Sequence, residues 1–389
     1  MSPGTQSFLA YFSALVLLAG GFLFLLNYRS DIAYFEAEKP ASVDAQTSSV
    51  AASFEVPPLL EATSTKPAKM KATSTVKDSA KLPVQKPVVQ HQPDNQAARI
   101  KDPYPFPPYS FPAINDATRA ALVNILCMPR GGGSLQPTSG SGVIIDPRGV
   151  ILTNAHVAQY VLLSQDPRID LSCAVRSGTP ATPRWSAEVL YIPPVWVEAH
   201  AREIKATHPT GTGEHDYALL LITGSLDGSP VLSLPYLPFD TREAIGFEGD
   251  QVLVASYPAE FIGGIAAQLN LYGASSITTI GQLMTFFTKS VDLISLGGII
   301  GAQSGSSGGA VVNVWGRLIA IIATTSEGAT TADRDLRAIT LSYISRDLGL
   351  QTQFDLPTIL GGDVSAQAQD FKLRTLPRLI DLYIAGIGR

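Results

Sequence analysis

Three residues of this chain are well placed to do chemistry together. His156 ends an apolar strand in Thr153-Asn-Ala-His-Val157, and Asp216 opens another in Glu214-His-Asp-Tyr-Ala-Leu-Leu220. Ser307 stands among glycines in Gly305-Ser-Ser-Gly-Gly309. A serine hydroxyl is a poor nucleophile until a neighbouring base takes its proton. An imidazole, with an ordinary pKa near 6.5, can be that base at neutral pH. A buried carboxylate behind the imidazole fixes its tautomer and stabilises the imidazolium. Glycines beside the serine let the backbone turn sharply and aim N–H groups at a developing oxyanion. Together these parts can perform acyl transfer through a covalent intermediate.

Chain order narrows the choice. Gly305–Gly309 formally matches the G-x-S-x-G turn of α/β-hydrolases, in which the histidine follows the serine. All five histidines here (His91, His156, His200, His208 and His215) precede Ser307, so that reading fails. The order His, Asp, Ser is the one found in chymotrypsin. His215 is a poor competitor for the role of base. Adjacent side chains of an extended strand face opposite ways, which turns it from the side that Asp216 faces and leaves it a surface residue. His200 and His208 fall in a polar, proline-containing insertion and are expected to be solvated.

The elements around these residues are short apolar runs parted by Gly, Pro and Asp, such as SGVIID, GVILTNAHVA, DYALLLI, DQVLVASYP and GRLIAIIATT. Such spacing predicts an all-β sandwich or barrel rather than a parallel sheet with crossover helices. Asn115 or Asp116 is expected to cap a short helix through Ala121, ahead of the strand LVNILCM. Composition agrees: 33 glycines and 28 prolines accompany a charged fraction of 16%, against roughly 25% in ordinary domains. A net charge of −5 with 28 Lys and Arg argues against a nucleic-acid grip built on phosphate neutralisation. Two cysteines cannot form a four-thiolate zinc site, and no metal or other cofactor is expected.

TNAHV, DYALLLI and GSSGG resemble the three motifs of trypsin-like serine proteases. Gly249-Asp-Gln-Val-Leu-Val-Ala-Ser-Tyr-Pro258 and the Gly-Gly-Ala-Val-Val-Asn313 after the serine resemble most closely the bacterial HtrA (Deg) branch. The resemblance covers about residues 113–350. It implies two six-stranded antiparallel β-barrels with the site in the cleft between them, His156 and Asp216 on the first and Ser307 on the second. It further implies that His156 is general base and then acid, Asp216 its orienting carboxylate and Ser307 the nucleophile, with the N–H groups of Gly305 and Ser307 as oxyanion hole. Ser306 departs from the Asp or Asn usual before the nucleophile, which is expected to alter local packing more than chemistry. The substrate pocket implied by the family is lined by Gly301 and Ala302 and by Ala323, Thr324 and Thr325. The two segments that hold them lack an acidic residue, which points to small or apolar side chains. The strand Ala323–Ser326 would pair with extended peptide.

The remainder of the chain divides by composition. Phe8–Leu26 is an almost unbroken apolar run, long enough at 1.5 Å per residue to nearly span a hydrocarbon core of about 30 Å. No basic residue precedes it and no good cleavage site follows, so residues 1–29 read as an uncleaved membrane anchor. Residues 30–112, rich in Pro, Ser, Thr and Lys, read as a disordered tether. The aromatics of its last part, Tyr104–Pro112, dock on their own domain or bridge subunits. Residues 113–350 form the protease domain. Residues 351–389 are too few for the PDZ domain that HtrA proteins usually append, and Thr375-Leu-Pro377 starts a short helix packed on the second barrel. Arg29 and Lys39 weakly favour a cytoplasmic body, while the tether and the HtrA resemblance favour an extracytoplasmic one. Cys127 and Cys173 lie on separate strands and pair or stay free. The expectation is a membrane-anchored serine endopeptidase acting on extended polypeptides, with self-association left open. An inactive, tethered peptide-binding module is the alternative.

Overall fold

The structure is a computed structural model that describes residues 99–387, apart from 101, 132–134, 207–210, 244, 260–269, 287–289, 300–303 and 326–334. The anchor and nearly all of the tether, along with His91 and His208, lie outside the described residues. Among the described residues no helix is long and apolar enough to cross a membrane.

Helix α1 (Phe111–Ala121) begins earlier than its Asn and Asp residues suggest, because Ser110 takes the N-cap position and Pro112 fits the first turn. Strands β1 (Leu122–Pro129), β2 (Thr138–Asp146), β3 (Val150–Thr153), β4 (Leu171–Ser177), β5 (Thr182–Tyr191) and β6 (Ala218–Ser225) close into an antiparallel barrel in the order β1-β2-β3-β6-β5-β4. Every residue of β3 and the first five of β6 are buried. Both faces of these strands are therefore covered, which is why they read as unbroken apolar runs and not as alternation. Cys127 and Cys173 stand opposite one another on β1 and β4 and are joined by a disulfide.

The second half contains β7 (Gln251–Ser256), β8 (Ala274–Thr279), β9 (Leu283–Met284), β10 (Leu293–Ser295), β11 (Ala310–Asn313), β12 (Leu318–Thr325) and β13 (Leu336–Thr340). Among the described residues these make a seven-stranded sheet in the order β8-β7-β11-β12-β13-β10-β9, in place of the expected second six-stranded barrel. Period-two alternation gives the sheet two apolar faces. Val252 and Val254 of β7, with Ile319 and Ile322 of β12, enter a core of the sheet's own. Leu253 and Ala255, with Ala310, Val312 and Ile321, join the larger core shared with the first barrel.

The molecule is mostly β, but it is not all-β. Helix α2 (Ala155–Ser164) follows β3, and α3 (Pro194–His200) follows β5. The chain after β13 forms α4 (Leu341–Thr352), α5 (Leu356–Gly361), α6 (Val364–Arg374) and α7 (Leu376–Ile387). Residues 351–389 thus carry more helix than the single short one expected. They also return to the other half: α6 packs on β5, and α7 packs on α3 and α2, because Leu379, Ile380 and Tyr383 form a buried stripe at helical spacing.

Residues 102–110, placed by composition in the tether, belong to the folded body. Tyr104 Oη donates to Asp240 Oδ2 at 2.5 Å and the Tyr109 N–H donates to Val314 O at 2.9 Å. Tyr104, Phe106 and Tyr109 stack in series, with the Arg317 guanidinium over the first two rings. Burial and the Asp240 bond push the Tyr104 phenol up to about 12. The aromatics dock within their own chain.

Candidate active site

His156 occupies the first turn of α2, where backbone N–H groups lack intrahelical acceptors. Asn154 holds the N-cap position, yet its side chain does not cap the helix. Its Nδ2 instead donates to the backbone oxygen of Asp216 at 2.8 Å. The Asp216 carboxylate takes over the capping role: Oδ1 accepts from the His156 N–H at 2.9 Å, and Oδ2 lies 2.7 Å from His156 Nδ1. The helix dipole favours an anion at this position. With Nδ1–H donating to the carboxylate, Nε2 of the neutral ring is left as an acceptor. Burial works against protonation of His156, but the charge and hydrogen bond of Asp216 outweigh it and raise the imidazole pKa above its ordinary value.

Ser307 stands on the turn before β11 and is partly exposed. Gly305 has φ of +92°, and a Cβ there would come within 2.8 Å of Tyr257 O. Gly308 has φ of +83°, and a Cβ would meet Ser141 O at 2.1 Å. Only glycine fits either place. Among the described residues the N–H groups of Gly305 and Ser307 have no acceptor, whereas those of Gly308 and Gly309 donate to Ile322 O and Ser306 O. The carbonyls of residues 305 and 307 are both held by one residue of β2. Ser141 N–H donates to Ser307 O at 2.7 Å, and Ser141 Oγ donates to Gly305 O at 2.7 Å while accepting from the Tyr257 N–H at 2.9 Å. Ser306 is buried, and its Oγ accepts from Ser256 Oγ at 3.1 Å. A small hydroxyl packs there without a charge partner.

These contacts hold an imidazole on a carboxylate, and a serine in a glycine turn beside two backbone N–H groups with no acceptor among the described residues. Residues 140–321 match a trypsin-like peptidase domain. The matched stretch runs from β2 to β12 and contains His156, Asp216 and Ser307. No curated protein matches the chain. A trypsin-like peptidase domain acts on polypeptides, and the remaining site residues can be placed against that. Gly301 and Ala302 lie outside the described residues. Ala323 is buried on β12, and Thr324 and Thr325 end that strand. β11 pairs with β12 no further than Ile322, so among the described residues the β11-side edge of Ala323–Thr325 has no neighbouring strand.

Two histidines differ from their expected settings. His215 is partly exposed and turns to helix α4: its Nδ1 lies 2.9 Å from Asp347 Oδ2. The alternation rule does not apply there, because His215 has φ of +57° and precedes β6. His200 stacks on Trp196 with ring centroids 4.7 Å apart, and its Nδ1 lies 2.9 Å from Trp196 O. Asn154 and Ser141 were not singled out from the sequence as site residues. Asn154 had a signal, an N-cap residue type just before the histidine. Ser141 stood between two glycines in Gly140-Ser-Gly142, but its partners are about 115 to 165 residues away in the chain.

Proposed function

We propose that the chain is a serine endopeptidase that hydrolyses peptide bonds through His156, Asp216 and Ser307. The observation that carries this reading is the two-point bond between Asp216 and His156, which leaves Nε2 free to accept a proton. In the proposed cycle Ser307 Oγ attacks the peptide carbonyl as Nε2 takes its proton. The N–H groups of Gly305 and Ser307 receive the oxyanion. His156 then protonates the leaving amine, and water, activated by the same ring, releases the acyl group from Ser307. The free edge of Ala323–Thr325 supports binding of an extended peptide as an added strand, and the absence of acidic residues there favours a small or apolar side chain beside Ser307.

In this reading the apolar run Phe8–Leu26 anchors the peptidase to a membrane, and residues 30–98 tether it. The Cys127–Cys173 disulfide favours an extracytoplasmic body, since such bonds persist in oxidising compartments. Within the trypsin-like group the Gly249–Pro258 and Gly308–Asn313 stretches favour the HtrA branch.

One observation favours the second reading, an inactive peptide-binding module. Ser307 Oγ makes no hydrogen bond among the described residues. In serine hydrolases that bond often tightens only when substrate arrives. A fluorophosphonate probe separates the readings. Labelling of the wild type that is absent in Ser307→Ala, with a turnover loss on the order of 10⁶-fold, is the outcome expected of the peptidase. Folded wild-type protein that takes no label would leave the binding module.

A further inference from the structure

Among the described residues the Asp216 carboxylate accepts hydrogen bonds from His156 and from no other residue. Its direction is therefore set by its own main chain. On one side Asn154 holds the Asp216 carbonyl. On the other, the residues before and after Asp216 reach the same oxygen of α4. His215 Nδ1 lies 2.9 Å from Asp347 Oδ2, and Tyr217 Oη donates to that oxygen at 2.8 Å. Gln351, one helical turn on, donates to it at 2.6 Å and accepts from Tyr191 Oη at 3.1 Å. The His215 N–H donates to Tyr343 Oη, also on α4, at 3.1 Å.

The backbone here is not one that the chain would adopt unaided. His215 has φ of +57°, a left-handed conformation in which a histidine persists when its surroundings hold it. The Tyr217 N–H donates to His215 O at 2.9 Å, which closes a tight turn centred on Asp216. The turn sends the Asp216 side chain toward His156 and the two flanking side chains toward α4.

We infer that Asp347 is a positioning residue, which clamps His215 and Tyr217 to helix α4 and so sets the distance and angle at which Asp216 meets His156. The inference rests on the peptidase reading of His156 and Asp216. Asp347 is 6% exposed and touches none of the reacting groups. It acts across the barrel wall, from a helix that begins beyond the matched peptidase segment. Around His215 the facing groups are Asp347, Tyr343 and Gln351 from α4, with Glu214 Oε1 3.5 Å from Nε2 and Tyr217 on its own segment. Burial opposes protonation of this ring, and the two carboxylates outweigh it, so its pKa is raised. The clamp does not depend on that proton, because Nδ1–H donates to Asp347 in the neutral tautomer as well as in the cation.

The test uses the full chain with Asp347→Ala and Asp347→Asn. With a peptide substrate, Asp347→Ala is expected to lower kcat about tenfold to a hundredfold and to leave KM within about twofold, the pattern of a misaimed catalytic group. The low-field proton NMR resonance of the His156 Nδ1–H bond should shift or broaden in the same variant. Asp347→Asn keeps an oxygen that accepts from both arms, and should recover kcat to within about fivefold of wild type. Folded Asp347→Ala with unchanged kcat and an unmoved resonance overturns the clamp, as does an Asn variant no better than Ala. If Asp347→Ala does not fold, Tyr217→Phe removes one arm and is read by the same two measurements, a smaller shift in both supporting the clamp and no shift in either overturning it. Wild-type protein that neither hydrolyses peptide nor takes the fluorophosphonate label refutes the peptidase reading, and the resonance alone then decides the clamp.

Discussion

The two halves of the molecule hold their site residues by different means. In the first, the closed barrel and its neighbouring helix supply both members of a bonded pair. His156 and Asp216 are joined at two points, and the Asp216 loop is tied on one side to Asn154 and on the other to α4. The seven-stranded half supplies a serine on a glycine turn, and much of what braces that turn comes from the opposite half. Ser141 of β2 holds the carbonyls at both 305 and 307. In the peptidase reading the bonded pair itself thus lies within one half, with its loop braced by α4, which packs on β12 and β13, while the turn that carries Ser307 takes its support from β2 of the opposite half. A perturbation of the first half should therefore damage either the base or the nucleophile, depending on which contacts it removes.

The largest effect is expected at the pair itself. Asp216→Asn replaces a carboxylate that accepts from both His156 N–H and Nδ1–H with a group that presents one acceptor and one donor. The ring is then free to adopt the wrong tautomer, and kcat should fall by on the order of 10⁴-fold with the fold intact. Steady-state kinetics on peptide, with circular dichroism as the folding check, measures this. A loss below about tenfold would mean that Asp216 does not orient the base.

Next is the barrel that carries the pair. The Cys127–Cys173 disulfide closes a chain separation of 46 residues, for which loop-closure entropy gives an upper estimate of about 4 kcal/mol. Replacing both cysteines by serine should lower Tm by roughly 8–16 °C and leave kcat per folded molecule unchanged, because the bridge lies in β1 and β4 and touches neither His156 nor Ser141. Calorimetry with active-site titration checks it. A fall in kcat that matches no loss of folded protein would show that the barrel transmits strain to the site.

How much of this could be read from the sequence follows the same division. The His156–Asp216 pairing and the glycine turn at Ser307 were legible because each sits in a short local pattern beside an apolar strand or among glycines, whose meaning depends on near neighbours. The unbroken runs of β3 and β6 also revealed the strands that flank His156 and Asp216. What was not legible depends on partners distant in the chain. Nothing near Ser141 indicates that it will hold carbonyls at 305 and 307, and nothing near His215 announces a carboxylate 132 residues on. The second barrel was implied by the family resemblance, whereas the described residues show an open seven-stranded order there; period-two patterning reports faces and not closure. The helix after Thr375 was assigned to the wrong half because an amphipathic stripe at Leu379, Ile380 and Tyr383 shows that a helix is covered and not by what.

A first-half residue that acts on the second half gives a sharper test. Ser141→Ala keeps the backbone bond to Ser307 O but deprives Gly305 O and the Tyr257 N–H of their partner. Leaving such buried groups unpaired costs about 1–3 kcal/mol. Losing the brace beside an oxyanion donor should also lower kcat about tenfold to a hundredfold. Unaltered kcat in a destabilised but folded variant would confine Ser141 to a structural role.

The smallest effect separates the two halves most cleanly. A general base must be neutral, so kcat/KM should rise with pH through the pKa of His156 in the free protein. Asp216 raises that pKa above 6.5 against the opposing effect of burial, so the midpoint of the acid limb should lie above 6.5. Removing the Asp216 charge leaves burial unopposed, and the midpoint in Asp216→Asn should move down. Ser141→Ala acts on the nucleophile side and should lower kcat while leaving the midpoint in place. A midpoint that moved equally in both variants would mean that the halves do not divide the work in this way. The same shift has a stability counterpart of fixed sign. A histidine whose folded pKa is raised contributes stability that is full below its unfolded value near 6.5 and is lost as pH climbs through the folded pKa. The His156–Asp216 pair should therefore stabilise the fold most at the acid pH values where the base is protonated and idle, and thermal melts across the acid limb of the rate profile should show the pair's contribution falling as activity rises.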